Sequence, residues 1–284
     1  MKIITTPEAM RAWSEAQRRH PDIRIGFAPT MGALHEGHLC LVRAAVHEND
    51  VAVASIFVNP TQFAPNEDFD EYPRPFDDDL AKLEAEKVEV VYAPTAADMY
   101  SEGYATYVTV EGVSNGLCGA SRPHFFRGVA TVVSKLFNAV KPHRAYFGQK
   151  DAQQCAVIER MVRDLDMGIE IVTLPTVREP DGLAMSSRNK YLNAEDREKA
   201  LCLSKALFHA ETLLRNGERN PDVLISVVRD MMQDVTIDYV ELVDSATMAP
   251  VDTVAGPVTL AAAIVLPTAR LIDNVRFDPG AQQT

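Results

Sequence analysis

The sequence predicts an α/β protein: a doubly wound parallel sheet followed by a smaller C-terminal α+β domain. Three observations carry this. Apolar, β-branched runs alternate with amphipathic stretches over residues 1–176, at the spacing of strand–helix–strand units. A turn rich in glycine and histidine, residues 28–39 (APTMGALHEGHL), falls between one such strand and the helix after it. Beyond Pro175 the helices and strands group apart over residues 177–284, as a second domain would rather than a continued parallel sheet.

Taken in order, Thr6-Pro7 starts the first helix, since threonine caps and proline suits the first helical position. Residues 23–27 read as a short buried strand. The helix after Gly37 repeats Leu39, Val42 and Val46 at helical spacing and ends near Asn49. Residues 51–58 (VAVASIFV) are a continuous apolar run, expected of a strand buried on both faces, and deliver Asn59-Pro60-Thr61-Gln62-Phe63 at its end. Residues 76–86 form a helix with three aspartates in its first turn, and 88–92 the next strand. Residues 116–128 read as a loop holding glycines and arginines, after which Val129, Val132, Leu136 and Val140 mark a helix. A short strand at 145–147 turns through Gly148-Gln149-Lys150-Asp151 into a helix carrying Cys155, Ile158, Val162 and Leu165, and 169–174 is the last strand of the sheet. In the second domain Asp181-Gly182 makes a turn and Met185-Ser186-Ser187-Arg188-Asn189 sits on a loop. Asn193 caps a long helix and Asn220-Pro221 starts another, with strands at 237–243, 258–264 and 271–275.

Hydrophobic residues make up 46% of the 284, ample for a packed core, and no apolar run reaches the length of a membrane span. The N-terminus lacks the charged-then-apolar pattern of a secretory signal. Cys40, Cys118, Cys155 and Cys202 lie far apart with no C-x-x-C, which fits reduced thiols in the cytoplasm better than a disulfide or zinc framework. A formal charge of −12 argues against a nucleic-acid partner. Any anionic ligand must be gripped locally.

Ligands of open α/β sheets bind outside the carboxyl ends of strands, and a helix N-terminus there suits phosphate. His35 and His38, in H-x-G-H spacing at such a place, can donate hydrogen bonds to phosphate oxygens. Lys150 follows a strand and precedes a helix, so its ammonium can reach phosphates, while Asp151 can accept from ribose hydroxyls. Ser186, Ser187 and Arg188 offer two hydroxyls and a forked guanidinium able to close on a triphosphate and stabilise departing pyrophosphate. Asp78 and Asp79 suit the helix dipole. They are equally candidates to hold Mg²⁺, which takes one or two carboxylates plus substrate phosphates. Gln62 and Gln154 are neutral groups suited to the hydroxyls of a small substrate. Gln154 falls one helical turn beyond Lys150, on the same face. Asn59 and Arg122 are further substrate-binding candidates.

In their order and spacing, PTMGALHEGHL, FVNPTQF, YPRPFDDDL, FRGVATVVSKLF, FGQKDAQQ and AMSSRN resemble the pantoate–β-alanine ligase family over nearly the whole chain. That family belongs to the nucleotidyltransferases sharing H-x-G-H with class I aminoacyl-tRNA synthetases. The resemblance implies a Rossmann-like nucleotidyltransferase domain over 1–176 that binds ATP and pantoate, and a lid that grips phosphate over 177–284. It implies an AMP-forming ligase that joins (R)-pantoate to β-alanine through pantoyl adenylate, with ATP as substrate, Mg²⁺ as cofactor and a homodimer as assembly. The implied ATP site comprises Pro29, Thr30, Met31, Gly32, Ala33, Leu34, His35, Glu36, Gly37 and His38, then Gly148, Gln149, Lys150 and Asp151, then Val177, Met185, Ser186, Ser187 and Arg188. His38 is the implied acid, and His35, Lys150 and Arg188 join it as catalytic. Residues 185–188 correspond to the synthetases' K-M-S-K-S loop. Gln62 and Gln154 match pantoate-binding positions, Gln62 also lying near where β-alanine enters.

One departure stands out. The family's usual R-P-G-H-F-R-G reads Arg122-Pro123-His124-Phe125-Phe126-Arg127-Gly128. His124 replaces the glycine and Phe125 the histidine, so His124 is expected to take over the work of that histidine. The rival readings are another adenylyltransferase of the superfamily, acting on a different small acid or phosphate, and a silent ATP-binding regulator.

Overall fold

The computed structural model describes residues 1–64 and 67–281. By its contacts the chain forms two compact units: Met1–Val110, His124–Gly148 and Val157–Pro175 make the first, and Glu111–Pro123, Gln149–Ala156 and Thr176–Thr284 the second. The strands are β1 (Lys2–Ile4), β2 (Ile25–Thr30), β3 (Val51–Ile56), β4 (Val90–Tyr92), β5 (Arg144–Gly148), β6 (Glu170–Leu174), β7 (Thr236–Asp244), β8 (Val258–Val265) and β9 (Arg270–Phe277). The α-helices are α1 (Pro7–Arg18), α2 (Glu36–Glu48), α3 (Phe76–Ala85), α4 (Ala96–Met99), α5 (Leu117–Ser121), α6 (Phe125–Val140), α7 (Ala152–Asp164), α8 (Ala194–Arg215) and α9 (Pro221–Asp230).

In the first unit the strands form one parallel sheet in the order β1-β4-β3-β2-β5-β6. Successive residues of a strand point to opposite faces. Ala28 of β2 joins a buried cluster with Leu41, Val42 and Ala45 of α2 and Leu83 of α3, whereas the neighbouring Phe27 meets Phe137 of α6 edge-on. Helices therefore cover both faces, as double winding requires. The order of strands reverses between β2 and β5, which makes their carboxyl ends the switch point where such folds bind ligands.

Strand β2 runs on through Pro29 to Thr30, beyond the expected end at Phe27. Proline is normally kept out of central strands because it cannot donate to a neighbour. Here β2 pairs with β5 only at Gly26 and Phe27, so from Ala28 onward one side of β2 has no neighbour and Pro29 forfeits nothing. The parting of the two strands is also what opens the crevice. The edge strand β1, paired parallel to β4, has no counterpart in the sequence reading. Helix starts follow local chemistry: Thr6 accepts from Ala9 N at 3.3 Å with Pro7 next to it, and caps of this kind contribute about 1 kcal/mol.

At its root β2 is tied to His143, whose Nδ1 accepts from Ile25 N at 2.9 Å while its own N–H donates to Ile25 O at 2.8 Å. Burial, then Arg18 and Arg24, push this imidazole below its ordinary value of 6.5. A base depressed by folding adds stability that is present above the unfolded value and lost as pH falls through the folded one. Lowering the pH below 6.5 should therefore reduce the melting temperature. His143→Asn keeps an acceptor without a titrating ring, so melting curves of that variant should show a flatter dependence over the same range.

The second unit is an antiparallel sheet, β7-β8-β9, packed on α8 and α9 through Leu203, Leu207, Leu214, Leu224 and Val228. Asn193 and Asn220 cap these helices, accepting from Asp196 N at 2.8 Å and Asp222 N at 2.9 Å. A single boundary at residue 176 does not describe the division, because two earlier segments belong here. Ser121 donates to both oxygens of Asp238 on β7 (2.8 and 3.0 Å), and Leu117 N donates to Glu241 at 3.1 Å. Asn274 of β9 binds the backbone of Gln149 and Lys150. The stretch read as a loop at 116–128 is thus largely helical, holding α5 and the start of α6. None of the four cysteines forms a disulfide. No helix among the described residues is long and apolar enough to cross a membrane.

Candidate active site

The turn after β2 is built by α3. Thr30, at the strand's end, donates to Ser55 O at 2.6 Å and accepts from Gly32 N at 3.1 Å. Gly32 and Ala33 both take left-handed conformations, with φ of 81° and 51°. A non-glycine residue there costs roughly 1–2 kcal/mol. The compensation comes from Asp79, whose two oxygens accept from Ala33 N at 2.7 Å and Leu34 N at 2.8 Å. A Cβ on Gly32 would stand 2.9 Å from that carboxylate, so only glycine fits. Lys82, on the same face of α3, donates to Leu34 O at 2.8 Å.

This clamp corrects the sequence reading of Asp79 as a magnesium ligand: it is buried, and both oxygens are engaged by the turn. Asp78 is exposed, and among the described residues no three His, Cys, Asp or Glu side chains gather in a form that could hold a metal. The misfit is at Asp79, whose two oxygens are already engaged by the turn.

His35 occupies the N-cap of α2, its Nδ1 accepting from Gly37 N at 3.1 Å, and His38 Nδ1 accepts from His35 N at 3.5 Å. The two rings lie 4.1 Å apart, tilted by 34°. An Nδ1 that accepts leaves the hydrogen of a neutral imidazole on Nε2, so each ring presents a donor there. Gly37 N–H is taken up by His35 within the turn itself. Within the same stretch Leu34 is core, and Glu36 pairs with Arg43, which also grips Glu86 at 2.9 Å.

Gln62 ends the 3-10 turn Pro60–Gln62. Its Oε1 accepts from Asn59 Nδ2 at 3.1 Å and its Nε2 lies 2.9 Å from Met31 Sδ. Asn59 was read as a substrate contact, but it is 1% exposed and its amide is satisfied by protein. It donates to Gly128 O at 3.2 Å and accepts from Thr61 and, at 2.7 Å, from Tyr100 OH. Asn59 therefore helps orient Gln62, holding the oxygen of that amide. Helix α6 touches the same turn at Gly128, where a Cβ would stand 2.3 Å from Thr61 O. Phe125, partly buried at the start of α6, packs edge-on against Phe126, and His124 is exposed beside it.

Gly148 ends β5 in the first unit, and the remaining candidates lie in the second. Lys150 and Asp151 sit in a 3-10 turn, Gln149–Asp151, with Nζ and Oδ1 3.7 Å apart. Since α7 begins only at Ala152, Lys150 and Gln154 do not share one α-helical face as expected. Its neighbour Gln153 is the buried one, donating to Val113 O and Gly116 O at 3.2 and 3.0 Å. Arg122 closes α5 through its backbone. Val177 O accepts from Met185 N at 3.0 Å across a tight hairpin, bridged at Arg178 and Ala184. Ser186 then caps the 3-10 turn Ser187–Tyr191, accepting from Arg188 N at 3.3 Å.

Sequence reasoning missed the supports of these segments. Arg178 makes a two-pronged bond to buried Asp273, at 2.6 and 3.0 Å. Burial pushes the Asp273 carboxyl up and the guanidinium opposes that. The one available signal is a polar pair, Asp273-Asn274, flanked by Leu271, Ile272 and Val275.

A parallel sheet whose switch-point turn carries two neighbouring imidazoles defines a doubly wound α/β protein of the kind that binds ligands at that turn. The sequence matches the pantoate–β-alanine ligase family over residues 2–276, and the chain belongs to that family. The pantothenate synthetase of Acetivibrio thermocellus is 53% identical over 97% of this chain and 99% of its own. The solved pantothenate synthetase of Thermus thermophilus superposes with a TM-score of 0.90 at 43% identity, over 97% of this chain and 99% of that one. A solved pantoate–β-alanine ligase from Francisella tularensis, complexed with beta-gamma ATP and β-alanine, has a TM-score of 0.77 at 34% identity, covering 97% of each.

Proposed function

We propose that the chain condenses (R)-pantoate with β-alanine at the expense of ATP, through pantoyl adenylate, releasing AMP and pyrophosphate. Family membership over residues 2–276 supports the reaction, as does the relative complexed with beta-gamma ATP and β-alanine. The single observation that carries the chemistry is the clamped turn holding His35 and His38 with both Nδ1 atoms accepting backbone protons.

In the first step a pantoate carboxylate oxygen attacks the α-phosphorus of ATP and the bond to the β-phosphate oxygen breaks. The carboxylate is ionised near neutral pH, so the step needs alignment and charge stabilisation rather than a base. His35 and His38 donate from Nε2, Lys150 supplies positive charge, and Ser186, Ser187 and Arg188 grip the departing pyrophosphate. In the second step the deprotonated amine of β-alanine attacks the acyl carbon; a C–N bond forms and the C–O bond to AMP breaks. Gln62 and Gln154 hold pantoate.

Magnesium enters with the nucleotide phosphates rather than on Asp79. The net charge of −12 supports a protein without a nucleic-acid partner. We place the protein in the cytoplasm as a homodimer, in keeping with its family.

A purified chain given all three substrates should form pantothenate and AMP in equal amounts. A stable adenylated product that β-alanine does not consume would instead favour an adenylyltransferase. Within this scheme Gly128→Ala should push Gln62 aside and raise the pantoate KM by up to roughly 10²-fold, the cost of a shift near 1 Å. An unchanged pantoate KM, read from initial rates, would remove Gln62 from the pantoate site.

A further inference from the structure

Strand β9 carries Asp273 and Asn274, both almost wholly buried, between Leu271 and Val275 of the second unit's core. Adjacent residues of a strand face opposite ways, and these two serve different segments. Asp273 lies on the face of Leu271 and Val275 and takes the fork of Arg178. Arg178 also donates to Gly182 O at 3.1 Å, closing the hairpin that leads into Met185. Asn274 looks the other way. Its Nδ2 donates to both Gln149 O and Lys150 O, at 2.9 Å each, and its Oδ1 accepts from Gln149 Nε2 at 3.4 Å. The two side chains are locked together, since Asp273 Oδ1 accepts from Asn274 N at 2.8 Å.

We propose that Asn274 is a positioning residue for Lys150, and that Asp273 beside it positions residues 177–188 through Arg178. One dipeptide of β9 thereby sets both segments that meet the phosphates. The proposal rests on the reading above, in which Lys150 and Arg188 act on ATP. The chemistry is specific. Two carbonyl oxygens converging on one side chain call for a group with two N–H bonds, which the Asn274 amide supplies. A carboxylate of the same shape would set oxygen against oxygen. Lys150 then starts from a backbone that cannot rotate away.

A double-mutant cycle in pyrophosphate exchange with the full chain tests this. Asn274→Ala should slow exchange roughly 10-fold or more, through kcat rather than the KM for ATP, and Asn274→Asp more than that. In a Lys150→Ala background the further loss from Asn274→Ala should shrink to about twofold or less, because the residue it positions is gone. The same loss in both backgrounds, tracking a fall in melting temperature, would overturn the proposal. Asn274→Ser, which keeps one donor, serves the same cycle if the alanine variant unfolds. Likewise Arg178→Lys should couple to Arg188→Ala, and simple additivity would remove Asp273 from the role. A wild-type chain that binds ATP yet shows no exchange would count against the reaction itself, a separate failure visible before any variant is made.

Discussion

Lys150→Ala should cut the rate of pantoyl-adenylate formation roughly 10²–10³-fold while changing ATP affinity only a few-fold. A donor or charge aimed at developing negative charge in a water-poor site contributes about 3–4 kcal/mol to the transition state, and far less to the ground state. The lysine stands in a short turn in which the carbonyls of Gln149 and Lys150 both accept from Asn274 Nδ2, so the backbone that carries its charge is held. His38→Ala should behave alike, since His38 holds the same turn through its Nδ1, which accepts from His35 N. Single-turnover kinetics gives the rate and calorimetry the ATP affinity. Equal losses in both would mean that these residues only bind the ground state.

Asp79→Ala should cost about 3 kcal/mol of stability or more, and should depress adenylate formation in the molecules that remain folded. One buried and one partly buried N–H group lose a charged acceptor, each such bond contributing roughly 1.5–3 kcal/mol. The left-handed Ala33 loses what holds it. The first residues displaced are Leu34 and then His35, so the damage reaches the imidazoles directly. Asp79→Asn separates packing from bonding: one oxygen still accepts, while the new NH₂ faces a backbone N–H. Its unfolding free energy in urea should fall between the wild type and the alanine variant. Raising the magnesium concentration should not restore either variant. Restoration by magnesium would return Asp79 to the role of metal ligand.

The difference between what was legible and what was not follows sequence distance. Caps at Thr6, Asn193 and Asn220 are local signals, and each forms the bond its residue type predicts. The continuous run at 51–58 is β3 because burial on both faces leaves a compositional mark. The end of β2 was misread because the rule against proline depends on a neighbour, and β5 departs after Phe27. Residues 116–128 looked like a loop because glycine and proline dominate locally. The contact that requires Gly128, against Thr61 O, lies far away in the chain.

The site divides in the same way. An H-x-G-H turn concentrates its chemistry in a few consecutive residues and can be recognised alone. Asp79 reads locally as a helix-dipole residue, and nothing nearby in sequence says that its partners are Ala33 and Leu34. Asn59 looks like a presented amide until Tyr100, Gly128 and Gln62 are seen to use it. Arg178, Asp273 and Asn274 support from still further off. The groups proposed to meet substrate are singled out by type and spacing, whereas the groups that hold them in place depend on the fold.

The most direct test is pantoate-dependent exchange of labelled pyrophosphate into ATP with β-alanine left out. The account predicts exchange that requires pantoate and stops when Lys150 or His38 is replaced, because the adenylate step is reversible and complete without the amine. ATP binding by a folded chain with no exchange under these conditions would contradict it.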